Sequence, residues 1–259
     1  MRSVLTALTV VVATLFFAPL VIVARLLGLG ERPAQWAMRS WARTICWAGG
    51  AKLVVHNPEK MLAGRGCVYA TNHVSWFDVF AVASVLPRYT FIAKSELRRL
   101  PLFGWGAEAA GVVFLARENR KAAFESYHGA AAEVQKGRSV VVCPEGTRGY
   151  EYALRPFKKG PFVLAIAAKA PVVPVVVYGA REVMRKGSFR VRSGTVHIHF
   201  LDAVETAGLD YDRRHEVMRQ VWDRMAGLLR AQYGIGTTEL ALAEADPDPA
   251  IDRAAEHTA

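Results

Sequence analysis

The sequence predicts an α/β fold: a single domain with a largely parallel central sheet flanked by helices, preceded by an N-terminal membrane-associated helical segment. From about residue 52 onward, short β-branched runs alternate with helical patterns, and the runs are apolar almost throughout, as strands buried on both faces are. Residues 3–24 carry no charge and are almost wholly apolar, a run long enough to cross a bilayer. The 259 residues are 52% hydrophobic and 22% charged, a balance that excludes a disordered polymer and a multi-pass transporter and suits one sizeable domain.

The apolar run comes first. It exceeds the roughly 7–15-residue core of a secretory signal and has no clear small-residue cleavage site, so it is read as retained. Pro19 inside it, with Gly28 and Gly30 after it, leaves a single span and two short helices dipping into one leaflet both open. Next, Trp36, Trp41 and Trp47 lie among Arg32, Arg39 and Arg43, a mixture that favours the headgroup layer. An ordinary amphipathic helix with tryptophan as core filler is the competing explanation. Arg25, Arg32, Arg39 and Arg43 bias the following domain toward the cytoplasmic side of a cytoplasmic membrane.

Strands are predicted at 67–71, 89–94, 111–117, 139–145 and 171–179. The intervening helices are WFDVFAVASVL before Pro87, a longer one near 119–136 before Gly137, and PFVLAIAAKA with Pro161 suited to a first turn. Residues 196–204 alternate more cleanly, as an edge or antiparallel strand does. Val217, Val221, Met225, Leu228 and Leu229 recur at helical spacing in a C-terminal amphipathic helix. Three regions follow: membrane-anchoring and interfacial helices over 1–50, the main domain over 51–236, and an acidic tail over 237–259. The tail holds six acids, one base, Pro247 and Pro249 but no aromatic residue, and is read as disordered.

The formal charge is +10, made of about −5 in the tail and +15 in the body, so anionic partners are expected. No Walker A, Rossmann fingerprint or aromatic RNA-binding signature accompanies it, which leaves phospholipid and phosphorylated small molecules ahead of nucleic acid. Three widely spaced cysteines, with no CxxC pair, fit a reducing compartment.

Asn72-His73-Val74-Ser75-Trp76-Phe77-Asp78 stands where a predicted strand ends and a helix begins, the usual place for sites in α/β sheets. Were all seven residues helical, His73 and Asp78 would be separated by roughly 500°, or about 140° around the axis, and could not pair. With His73 in the turn and Ser75 capping the helix, the Asp78 carboxylate reaches back to the imidazole. It then fixes the tautomer and leaves the other nitrogen able to take a proton from a hydroxyl. Ser75 and Asp78 also match a capping box, a purely structural use that leaves His73 unexplained.

Pro144-Glu145-Gly146-Thr147-Arg148 follows another strand: glycine permits close backbone approach to an anion, threonine adds a hydroxyl, and arginine offers a bidentate fork. Arg155, Lys158 and Lys159 add positive charge near the same edge. Gly111-Val-Val-Phe114-Leu-Ala-Arg117 ends a third strand on an arginine that could join the same anion site.

Taken in order, these residues resemble the glycerolipid acyltransferase family, its 1-acylglycerol-3-phosphate (lysophosphatidic acid) branch in particular. His73 and Asp78 match the HxxxxD block; Gly111, Phe114 and Arg117 the second; Glu145, Gly146, Thr147 and Arg148 the third; Val173-Pro174-Val175 the fourth. Lys94-Ser-Glu96-Leu97 and Pro101-Leu-Phe-Gly104-Trp105 look like the segment between the first two blocks. Ala116 and Cys143 are small departures. The likeness covers roughly residues 50–205. It implies that His73 deprotonates a lysophospholipid hydroxyl, that Asp78 orients His73, and that the alkoxide attacks the thioester of acyl-CoA or acyl carrier protein without a cofactor. Arg117, Arg148, Glu145, Gly146 and Thr147 would hold the acceptor's phosphate and glycerol, with Lys94, Lys158 and Lys159 as further phosphate or headgroup contacts. The product would be phosphatidic acid; another acceptor such as a lyso-ornithine lipid, and a non-catalytic anionic-lipid-binding protein, are the alternatives.

Other chemistries fit less well. No GxSxG elbow occurs. Cys143 falls in an apolar strand, which suits an inert thiol. His197 and His199 share a strand face, but two alternating histidines do not make a zinc site, and no metal is expected.

Overall fold

The computed structural model describes residues 1–62, 64–115 and 120–237, and of residues 120–125 and 128 the backbone alone. Two expectations therefore lie outside the described residues: the role of Arg117, and the disordered tail from residue 238 onward.

Helix α1 runs from Arg2 to Leu26 and α2 from Arg32 to Gly49. The run is one helix through Pro19, not two; the break falls at Gly28 and Gly30, whose φ angles of 66° and 72° suit glycine. One face of α1 is packed along its length. Near its start, Ser3 Oγ accepts from the Val191 N–H at 2.9 Å; in the middle, Trp41 Nε1 of α2 donates to Thr14 Oγ1 at 3.0 Å. Toward its end, Ala18 sits so close to Gly106 of α4 (Phe103–Ala109) that a Cβ on Gly106 would come within 2.6 Å of the alanine methyl.

Strand β1 (Ala51–His56) follows, then β2 (Val68–Thr71), α3 (Trp76–Val85), β3 (Tyr89–Lys94), α4, β4 (Val113–Leu115), α5 (Arg120–Gln135) and β5 (Ser139–Val142). Helix α6 (Gly160–Ala167), β6 (Val172–Tyr178), α7 (Ala180–Val183), β7 (Gly194–Phe200) and α8 (Arg214–Tyr233) complete the chain. The sheet order is β1-β7-β6-β2-β5-β3-β4. Every neighbouring pair is parallel except β6 and β7. The alternating strand at 196–204 is thus antiparallel to β6, but it is no edge, because β1 covers its outer side. Strand β1 itself was not anticipated: AKLVVH is short, and only half-buried on its inner positions.

Each sheet face carries its own core. Val68, Ala70, Val140 and Val142 join Phe162, Val221 and Met225 under α5, α6 and α8. Tyr69, Val141, Val175 and Ile198 join Cys46 and Phe77 under α2 and α3. Strands β2 and β5 are neighbours in parallel register, Ala70 opposite Val142, so the turns that leave their C-terminal ends emerge side by side. That placement brings residues 72–78 and 143–148 together.

Of the residues expected at a membrane interface, several are used inside the fold. Arg43 Nε donates to the Ser84 carbonyl at 2.9 Å and Arg39 donates to that of Pro87, satisfying groups at and just beyond the C-terminal end of α3. Trp41 packs edge-on against Phe80. Trp36 and Trp47 are exposed.

Candidate functional site

The turn after β2 is held in place from several directions. The Asn72 amide, fully buried, pairs with the β6 backbone in both senses, donating to the Val177 carbonyl at 3.0 Å and accepting from its N–H at 2.7 Å. Ser75 caps α3, its Oγ accepting from the Phe77 N–H at 3.1 Å and donating to the Met184 carbonyl at 2.7 Å. Asp78 completes the capping box. Its Oδ2 accepts from the Ser75 N–H at 2.7 Å and the Val74 N–H at 2.6 Å, and lies 3.1 Å from His73 Nδ1. Capping and pairing with histidine are therefore one arrangement rather than alternatives. An oxygen that already accepts two backbone N–H groups presents only lone pairs, so Nδ1 must be the donor to it. The neutral ring then carries no proton on Nε2. His73 is partly exposed to the cavity described below, whereas Asp78 is buried beneath it.

The turn after β5 grips the same histidine. Glu145 Oε1 accepts from the His73 N–H at 3.0 Å, and the His73 carbonyl accepts from the Gly149 N–H at 2.7 Å. The sequence reading groups Glu145 with the residues holding a phosphate. In the structure it is 3% exposed and its Oε1 is engaged on the His73 backbone, which leaves it little to offer a phosphate. Burial pushes this carboxyl up to about 7, against the lowering effect of the His73 and Arg155 backbone N–H groups. Gly146 is required for its backbone, with φ of 76°, rather than for room: a Cβ there would meet only Lys158 Cγ, at an ordinary 3.6 Å.

Arg148 places its guanidinium 4.8 Å from the centre of the Trp76 ring. Arg155, which sequence reasoning noted only as added charge, braces the loop: its Nη1 donates to Thr147 Oγ1 at 2.9 Å and to the Thr147 and Arg148 carbonyls at 3.3 Å each. Lys94 forms an ion pair with Glu96. Lys158 and Lys159 stand at the start of α6.

His73, Lys94, Glu145, Gly146, Thr147, Arg148, Lys158 and Lys159 all border one cavity of about 850 Å³. Away from these polar groups its walls are apolar and come from other elements: Phe17 and Val21 of α1, Met38 and Trp41 of α2, Phe80 of α3 and Phe91 of β3. The α1 and α2 contribution was not legible in the sequence, where both helices read as anchors. Cys143 also lines the cavity, while Cys46 and Cys67 are buried in the core, where burial pushes their thiols up to about 12 and about 11.

Residues 52–178 match a family profile described as Acyltransferase. The putative 1-acyl-sn-glycerol-3-phosphate acyltransferase acl-2 of Caenorhabditis elegans is 32% identical over 200 residues, 76% of this chain and 71% of that protein. The chain belongs to the acyltransferase family. The 1-acyl-sn-glycerol-3-phosphate acyltransferase of Saccharomyces cerevisiae is 33% identical over 66% of this acyltransferase and 58% of its own length. The human beta form is 34% identical over 70% and 66% respectively. The chain thus spans about three fifths to seven tenths of the length of these relatives. The crystal structure of the 1-acyl-sn-glycerophosphate (LPA) acyltransferase PlsC from Thermotoga maritima superposes with a TM-score of 0.70 at 23% identity. That match covers 90% of this chain and 99% of the other, a likeness of fold. Such acyltransferases are enzymes of lipid metabolism that act on an oxygen acceptor.

Proposed function

We propose that the chain transfers a fatty acyl group from acyl-CoA or acyl carrier protein to the free hydroxyl of 1-acylglycerol-3-phosphate, making phosphatidic acid. The reading rests on one cavity whose lining combines a histidine able to act as a base, cationic side chains and an extensive apolar wall. A lysophosphatidic acid has that division of chemistry: a dianionic head, a hydroxyl beside it and a fatty chain.

In this reading His73 Nε2 removes the hydroxyl proton as the oxygen attacks the thioester carbonyl. The tetrahedral intermediate expels the thiolate, breaking the C–S bond, and the imidazolium returns its proton to sulfur. Asp78 holds the ring and stabilises its charged form. A thioester is already activated, so base assistance of about 10² to 10⁴ together with positioning meets the need, and no cofactor is called for. Arg148, steadied by Trp76, takes the acceptor's phosphate, with Lys158 and Lys159 near it and Thr147 and the Gly146 backbone beside it. Lys94, which lines the same cavity and pairs with Glu96, is a further headgroup contact, and Arg117 remains assigned to the phosphate by its place in the second block. Glu145 acts on His73 rather than on substrate.

Residues 1–50 supply the membrane-facing part and 51–236 the catalytic part. Helix α1 is long and apolar enough to cross a bilayer. It is instead packed along one face, and the opposite face exposes Leu8, Val12, Phe16 and Val23. That division favours immersion lengthwise in one leaflet, with Trp36 and Trp47 beside it, over a free-standing span. Arg25 and Arg32 near the loop between the helices support a cytoplasmic orientation.

A thiol-release assay on detergent-purified protein tests the function, comparing acyl-CoA with acyl carrier protein across lysophosphatidic acid, lyso-ornithine lipid and phosphate-free acceptors. Release is expected with lysophosphatidic acid and absent in His73→Ala. Release from the His73→Ala protein equal to the parent, or none with any acceptor, would refute it.

A further inference from the structure

On β1 and β7, on the far side of β6 from the turn after β2, three histidines converge. His56 ends β1 and is in register with His199 of the neighbouring parallel strand β7; His197, two residues before it, lies on the same face. His56 Nε2 and His197 Nδ1 are 3.0 Å apart. The His56 and His199 rings are stacked 4.1 Å apart at 4°. One potential ligand nitrogen from each of the three lies within 4.8 Å of the others. His199 is buried, and its Nε2 is 2.6 Å from the Tyr233 hydroxyl in the last turn of α8; Tyr233 is itself stacked on Tyr178 at 3.7 Å.

We propose that His56, His197 and His199 bind a divalent transition-metal ion of the zinc type, with water or another oxygen donor in the fourth position. The nitrogen separations are close to what such an ion needs. Metal–imidazole bonds of about 2.0–2.1 Å in a tetrahedron separate two ligand nitrogens by about 3.3 Å. The His56–His197 pair is already within a few tenths of an ångström of that edge, joined now by a proton that a cation would replace. The third nitrogen is at most about 1.5 Å beyond the same edge, and because the His56 and His199 rings now lie parallel, His56, only partly buried, must turn about its side-chain torsions to bring both in-plane lone pairs onto one ion. Tyr233 holds His199 Nε2 at 2.6 Å, and it serves as the outer-shell partner that orients this ring where the ion binds through Nδ1. Three nitrogens and no thiolate suit zinc, copper or nickel over calcium or magnesium. Bound there, the ion would clip the edge strand β1 to β7 and to the end of α8.

The histidine at the end of β1 is what the sequence conceals: His197 and His199 alone make an unremarkable strand face, and only the parallel pairing of β1 with β7 brings in a ligand 141 residues away. The site does not depend on the acyl-transfer reading.

The test uses the untagged full-length protein, stripped with chelator and titrated with Zn²⁺ and, as a spectroscopic probe, Co²⁺. Uptake of one ion per chain is expected, with visible Co²⁺ bands of four-coordinate intensity. The melting midpoint should rise by roughly 5 °C or more at a hundredfold excess of ion over its dissociation constant. His56→Gln and His197→Gln should each weaken uptake tenfold or more, whereas His215→Gln at the start of α8 should not. Absence of stoichiometric uptake by the parent protein, or affinity in both cluster variants equal to the parent's, would overturn the site and leave a stacked trio that merely packs.

Discussion

The Glu145 carboxylate reaches across from the turn after β5 to the backbone N–H of His73 in the turn after β2, 3.0 Å away. In the function proposed above, this glutamate in an otherwise cationic loop positions the histidine rather than the substrate. Because the contact needs only an acceptor, Glu145→Gln should retain it and keep kcat within about tenfold of the parent. Glu145→Ala, which leaves a buried N–H unpaired, should lose a hundredfold or more at little change in KM. Equal kcat in Ala and Gln variants would remove this role.

The same glutamate gives a pH signature in stability. Its carboxyl is raised from 4.5 to about 7 by burial, so between those values the folded protein holds a proton that the unfolded chain releases. This contribution to stability is present in full below about pH 4.5 and is lost as pH rises through about 7. Glu145→Gln has no such proton to lose. Its melting midpoint relative to the parent should therefore be higher at pH 8 than at pH 5, by roughly 3 °C or more. Parallel pH profiles for the two proteins would contradict the shift.

Asp78 does two jobs through one oxygen, and two substitutions separate them. Asp78→Asn can still accept the capping N–H groups but no longer offers the charge that favours an imidazolium; kcat should fall by about 10² or more with the fold preserved. Asp78→Ala should lose the cap as well, costing about 1 kcal/mol or more of stability. Thermal melts read beside single-turnover rates check both; an Asn variant at full rate would leave Asp78 a cap and nothing else.

Arg148 rests against the Trp76 ring at 4.8 Å, which fixes where its fork points. Trp76→Leu keeps an apolar residue there but removes the ring face, worth about 0.5–1 kcal/mol, so KM for lysophosphatidic acid should rise about two- to fivefold with kcat nearly unchanged. Arg148→Ala should raise it far more, while hardly altering turnover of a phosphate-free monoacylglycerol. An equal loss with both acceptors would separate Arg148 from the phosphate.

Much of this was legible locally. The β-branched runs located all the strands but β1, and Ser75-x-x-Asp78 with His73 just before it foretold the turn in which ring and carboxylate meet. What stayed hidden depends on contacts remote in sequence. Glu145 and His73 are 72 residues apart, and no spacing rule says that a carboxylate will face a backbone N–H instead of a ligand. Arg39 and Arg43 look like interfacial cations until the end of α3, more than 40 residues on, presents carbonyls to them. A strand of AKLVVH, half-buried and charged near its start, has too little alternation to announce itself.

Helix α1 carries the clearest test of how the protein meets a membrane. Its packed face includes Thr6, Ala13, Ala18 and Val21, mostly small residues that let α2 and α4 approach, whereas Leu8, Val12 and Phe16 point away at 59%, 63% and 60% exposure. Because those three touch little of the domain, Leu8→Glu, Val12→Glu and Phe16→Glu together should leave the melting midpoint in detergent nearly unchanged. Removing three apolar side chains from a leaflet and adding three charges should cut co-sedimentation with anionic phospholipid vesicles by about tenfold or more. Turnover of soluble short-chain substrates, which reach the cavity from water, should survive, while turnover of vesicle-borne lysophosphatidic acid should fall with binding. Were α1 a free-standing span, the same charges would block insertion altogether, and the protein would be recovered in the soluble fraction of cells rather than weakly attached. Full vesicle binding by the triple variant would show that another surface makes the contact.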